Sequence, residues 1–135
     1  MKRMALILLF LLISIQVKAI TCEEAGGVVV KGNNNVEYCK ASRPMNWWTA
    51  MAWCQKIQKM PFRYPQDCSC ETEGGIPCPS ITSACPNLKG VGTDTVWTST
   101  PSGNKDAVYI DLTSGSYTYL HYGNRAGKNY YALCR

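Results

Sequence analysis

The chain has 135 residues, 8 cysteines and a formal net charge of +5, with 14 basic against 9 acidic residues. That length suits one domain with a core of its own, small enough to profit from covalent staples. The basic residues form no run, which excludes the footprint of a nucleic-acid or anionic-membrane binder.

The chain opens MKRMALILLFLLISIQVKA. Lys2 and Arg3 precede an apolar run from Ala5 to Ile15, too short for a bilayer span of about 20 residues. Polar residues then lead to the small-residue cleavage signal Val17-Lys18-Ala19. Residues 1–19 are therefore expected to be a secretory signal peptide and residues 20–135 a single mature domain. A retained anchor helix and a lipid-modified Cys22 are the rival readings. Thr21 fits poorly before a lipidated cysteine, and that modification would leave an odd thiol. Cleavage removes Lys2, Arg3 and Lys18, which lowers the charge to about +2. The expected mature domain has no segment to insert in a membrane, and its expected destination is the periplasm, cell surface or medium. All the cysteines lie beyond residue 19, so an oxidised framework of up to four disulfides is expected. Zinc at Cys68, Cys70, Cys78 and Cys85 is the alternative, but the paired C-x2-C knuckles are missing.

From Gly26 to Ser42, a β-branched run and a second short run containing Tyr38 flank a Gly32–Asn35 cluster, which reads as a hairpin closed by Cys22 and Cys39. Asn46 is a fair N-cap for a helix in WWTAMAWCQKIQK, with no breaker until Pro61. Trp47, Ala50, Met51, Cys54 and Ile57 share one arc of that helix, with Trp53 at its edge. Trp48 falls on the flank and is the tryptophan of this stretch expected to face solvent. Residues 60–89 are rich in Pro, Gly and Cys and read as a loop insert with a short helix around Ser80 to Ala84. Nested bonds, Cys70–Cys78 inside Cys68–Cys85, would suit its Gly74-Gly75 turn, although spacing alone does not decide the connectivity. Four strands follow, at Thr95–Thr100, Ala107–Leu112, Ser116–Tyr122 and Asn129–Arg135, with TSGS as a tight turn. Val108, Ile110 and Leu112 alternate with Ala107, Tyr109 and Asp111, as in a half-buried antiparallel meander.

The helix pattern W-x-x-A-x-x-x-C at Trp47, Ala50 and Cys54 resembles the first helix of C-type-lectin-like domains. The tail from Val96, with WTST, VYIDL, an S-G turn and a closing YYALC, resembles small bacterial secreted domains of the Lcl C-terminal type. The resemblance spans roughly Asn46 to Arg135. It implies an α+β, C-type-lectin-like fold, one amphipathic helix packed on the meander, and a role in extracellular binding or adhesion. It also implies a Cys54–Cys134 disulfide and matches Cys22–Cys39 to the extra hairpin bond of long-form members. The Glu-Pro-Asn, Gln-Pro-Asp and Trp-Asn-Asp tripeptides that hold calcium in sugar-binding lectins are absent, and Trp97-Thr98-Ser99 stands in place of the last.

Catalysis has little to work with. His121 is the lone histidine, no nucleophile elbow is present, and scattered pairs such as Asp94 with Asp106 or Asp111 are unremarkable. The expectation is a non-enzymatic module without metal or cofactor, which binds an extracellular protein or glycan. Candidate ligand residues are Trp48, Tyr109, Tyr117, Tyr119, Tyr122, Arg125 and Tyr130, because tyrosine offers broad amphipathic contact at low entropy cost. The alternatives are a structural subunit of a surface assembly, self-associating through an edge strand, and a small secreted effector or inhibitor using the Cys68–Cys85 insert.

Overall fold

The computed structural model describes residues 20–32, 35–64, 66–68, 85–113 and 119–135, with the side chains of 86 and 119–122 excepted. The expected signal peptide, the Cys70–Cys78 bond, the short helix near Ser80 and Tyr117 lie outside the described residues, as do the Tyr119, His121 and Tyr122 side chains. The elements are β1 (Gly27–Lys31), β2 (Glu37–Met45), α1 (Trp47–Lys56), a 3-10 turn at Pro86–Leu88, β3 (Val96–Ser102), β4 (Asp106–Asp111), β5 (Tyr119–Asn124) and β6 (Tyr130–Cys134). They make a small α+β domain in which α1 packs on one mixed six-stranded sheet, ordered β1-β2-β6-β3-β4-β5.

The hairpin forms where the Gly/Asn cluster places it. β1 and β2 pair antiparallel from Gly27↔Ala41 to Lys31↔Glu37, and Asn35 takes the positive φ, 61°, that the turn needs. The Cys22–Cys39 bond closes its open end, with Cα atoms 5.7 Å apart. Gly27 underlies that bond: a Cβ there would come within 2.8 Å of Cys39 Sγ and 2.9 Å of the Trp53 ring.

The Asn46 side chain caps α1 by accepting the Thr49 N–H at 2.9 Å. The helix stops at Lys56, well before Pro61. Gln58 adopts φ 56°, its N–H donates to the Gln55 carbonyl, and the Lys59 N–H donates to the Cys54 carbonyl. Those two bonds are a Schellman ending, with glutamine where glycine is usual. The early stop has a tertiary reason. Met60 and Arg135 exchange backbone hydrogen bonds, Phe62 N–H donates to Leu133, and Ser99 N–H donates to the Phe62 carbonyl. Residues 60–62 thus fill the fork where β6 and β3 diverge.

Two strand expectations need correction. β3, β4 and β5 do form an antiparallel meander, but β6 does not extend it. It returns to the middle of the sheet, antiparallel to β2 and parallel to β3, with Val96 opposite Tyr131. Its apolar residues suit a central strand, since Ala132, Leu133 and Cys134 are all buried whichever face they point to. The sheet is also covered on both faces rather than one. Ala50, Cys54, Ile57, Trp97, Ala107, Ala132 and Cys134 pack beneath α1. Tyr38, Phe62, Leu88, Val96, Ile110, Leu112 and Leu133 pack on the opposite face, with Cys68 and Cys85 among them. The alternation read in β4 is real, but its second face is not open to water, and Ala107 is fully buried.

Disulfides join Cys54 to Cys134 and Cys68 to Cys85, with Cα separations of 5.6 and 4.4 Å. The first ties α1 to β6 across the core. Among the described residues no helix is long and apolar enough to cross a membrane.

Candidate functional site

The four tryptophans divide by what their indole N–H groups do. Trp47 donates to the Thr98 carbonyl, Trp53 to Ala25 and Trp97 to Met45, at 2.8, 3.1 and 2.9 Å. Each therefore ties α1 or β3 to a neighbouring segment, and each ring is packed into or against the core. Trp48 has no such bond among the described residues and is 57% exposed.

The Trp48 ring is not loose. It meets the edge of Trp47 with ring centroids 4.8 Å apart. The Arg125 guanidinium lies 4.7 Å from the Trp47 ring centroid and 5.6 Å from that of Trp48, within the range of cation–π attraction. Arg125 is itself fixed. Its Nε donates to the Asp106 carbonyl at 2.9 Å and its terminal nitrogen to the Gly103 carbonyl at 3.1 Å. Its backbone N–H donates to Lys105, and its carbonyl accepts the Trp47 N–H. One arginine thus joins the start of α1 to the β3–β4 turn and the β5–β6 loop.

These three segments bound a shallow cleft of 260 Å³, lined by Trp48, Asn104, Lys105, Asn124, Arg125 and Ala126. Asn124 accepts the Ala126 and Gly127 N–H groups on its carbonyl oxygen, which leaves its amide nitrogen able to donate outward. The cleft thus combines an exposed aromatic ring, amide groups and two cations. A second hollow of 450 Å³ lies beyond Trp53, lined by Ala25, Gly26, Ala41, Ser42, Arg43 and Met45. It is larger, but its aromatic ring is already committed through the Ala25 bond.

Of the expected ligand residues, Trp48 and Arg125 are brought together here. Tyr109 and Tyr130 are not displayed on an outer face. They are half-buried on the α1 side, 4.3 Å apart between ring centroids, and both meet Trp97 edge-on. Burial, then the hydrogen bond with Tyr130, pushes the Tyr109 phenol up to about 12. Gly123 makes room for this ring, since a Cβ there would meet Tyr109 Cε1 at 2.9 Å. Sequence reasoning missed Asn104, Lys105 and Asn124, whose only trace was a Gly-Asn turn in PSGNKD and the loop GNRAGKN.

It also missed Asp67. This carboxylate is buried and accepts from Arg63 Nη2 at 3.0 Å, Arg63 Nε at 3.2 Å, the Arg63 N–H at 2.8 Å and Arg135 Nη1 at 2.7 Å. Burial works to raise its pKa, but the Arg63 hydrogen bonds and the charges of Arg135 and Arg63 outweigh it. The net effect holds the carboxyl below its ordinary range. With its acceptors so fully engaged, Asp67 is a clamp next to Cys68 and has little left to offer a ligand. Among the described residues no group of three His, Cys, Asp or Glu side chains could hold a metal ion. No protein-family profile, curated protein or solved structure matches the chain.

Proposed function

We propose that the protein is a secreted, calcium-independent binding or adhesion module of C-type-lectin-like fold. Its ligand is an extracellular protein or glycan, which it meets at the cleft beside Trp48. The observation that carries this reading is Trp48: a mostly exposed indole, without an intramolecular hydrogen bond among the described residues, held in place by a pinned arginine. A large ring fixed before contact loses little entropy on binding, which is why such residues dominate recognition surfaces. Lys105 and the Asn104 and Asn124 amides supply polar groups around it.

The fold part of the proposal is supported by the helix-to-last-strand bond Cys54–Cys134 and by the hairpin bond Cys22–Cys39. Export is supported by three disulfides and by the leader-like residues 1–19. The test is binding of the purified protein to arrays of extracellular glycans and matrix proteins, with and without EDTA. The expected result is a ligand whose binding survives EDTA and weakens at least about tenfold in Trp48→Ala. Binding that is unchanged by Trp48→Ala, or abolished by EDTA, overturns the proposal.

A further inference from the structure

We infer that β1 is a self-pairing edge through which two copies of this chain join antiparallel about Val29, continuing the sheet across a two-fold axis. β1 ends the strand order and, among the described residues, pairs only with β2. It has a regular register, no proline and no bulge, and its single charge is Lys31 at the end, so most of the usual protections of an edge are missing. Val28 and Val29 are 51% and 43% exposed on its two faces.

The backbone groups on the outer edge are self-complementary. Gly32 N–H donates to the Val36 carbonyl and Ser42 N–H to the Gly26 carbonyl, which turns the even-numbered residues of this strand toward β2. Gly27, Val29 and Lys31 therefore present their N–H and C=O groups outward. One of these groups is hydrogen-bonded within the chain and one is crowded by a neighbouring loop. The Gly27 N–H donates to the Cys22 carbonyl, and the Lys31 carbonyl faces Gly90, where an added Cβ would lie 3.1 Å away. What is left, among the described residues, is the Val29 N–H and C=O, the Lys31 N–H and the Gly27 carbonyl. In an antiparallel pair centred on Val29, the two valines exchange both bonds. Each Lys31 N–H then meets the Gly27 carbonyl of the other copy. The same register sets each Lys31 ammonium beside the other copy's Cys22–Gly26 turn, which carries exposed Glu23 and Glu24. The charge match occurs twice by symmetry. The axis stands perpendicular to the sheet, so both α1 helices and both Trp48 clefts share one side of the assembly.

The test is sedimentation equilibrium of the protein, made from the full chain, from micromolar to millimolar concentration. It is run beside Val29→Pro and Val29→Lys. Proline at 29 removes an outward N–H and spares the bonds to β2. Lysine there sets like charges opposite each other. The expected result is a mass that doubles with concentration, together with amide-exchange protection of Val29 and Lys31 that appears only in the doubled form. Both variants should raise the dimer dissociation constant at least about tenfold with native circular dichroism. If Val29→Pro fails to fold, Val29→Lys decides. A monomer throughout the range overturns the inference, as does a dimer that both folded variants retain. So does a doubling only when another protein's strand is supplied.

Discussion

Asp67 shows how much one side chain can hold when its acceptors are filled. Its folded pKa lies below the unfolded carboxylate value of about 3.9. The charged form therefore stabilises the fold, fully above that value, and the contribution is lost as pH falls through the lower folded value. Asp67→Asn is expected to cost about 1–2 kcal/mol near neutral pH, a modest figure because water reaches both guanidinium groups. In denaturant titrations the gap between the two proteins should close below about pH 4. A gap that stays constant with pH would mean that the clamp works by packing alone. The signal in the sequence was slight, an Arg and an Asp four residues apart in RYPQDC, with Arg135 far along the chain. The cleft was legible to the same degree. Trp48 could be placed on a helix flank and Arg125 in a loop, but nothing local says that they meet. Tyr109 and Tyr130 were candidate ligand residues by type alone, because alternation assigns faces without saying what covers them.

Among the elements, those governed by near neighbours in the chain were readable and those governed by distant ones were not. The hairpin follows from Gly32 and Asn35, and the start of α1 from Asn46. The end of α1 and the place of β6 depend on backbone bonds that residues 60–62 make with residues 99 and 133–135, which no window of sequence contains. Both ends of α1 can be tested. Asn46→Ala removes the cap and should destabilise by about 1 kcal/mol. Gln58→Gly relieves a left-handed residue and should stabilise by about 0.5–1 kcal/mol, less the entropy that glycine adds to the unfolded chain. Thermal melts of the two variants should therefore move in opposite directions. A loss on Gln58→Gly would show that the glutamine side chain contributes more than its backbone costs.

At the scale of the whole molecule, the Cys54–Cys134 bond joins the helix layer to the centre of the sheet over a separation of 80 residues. Loop-closure entropy for such a span is worth about 4–5 kcal/mol, a large share of the 5–15 kcal/mol typical of a domain. The double variant Cys54→Ala/Cys134→Ala should lose about that much and melt far earlier than the parent. A small loss would place the burden on the packing beneath α1 instead. The Cys68–Cys85 bond has a different consequence. Its Cα atoms are 4.4 Å apart, so the frame holds both ends of the intervening stretch at a single point. Closing a chain between two such points depends only weakly on its length, each doubling adding about 0.6 kcal/mol of closure entropy. The spacing of Cys68 and Cys85 thus belongs to the frame itself, where both cysteines pack with Phe62, Leu88 and Leu133.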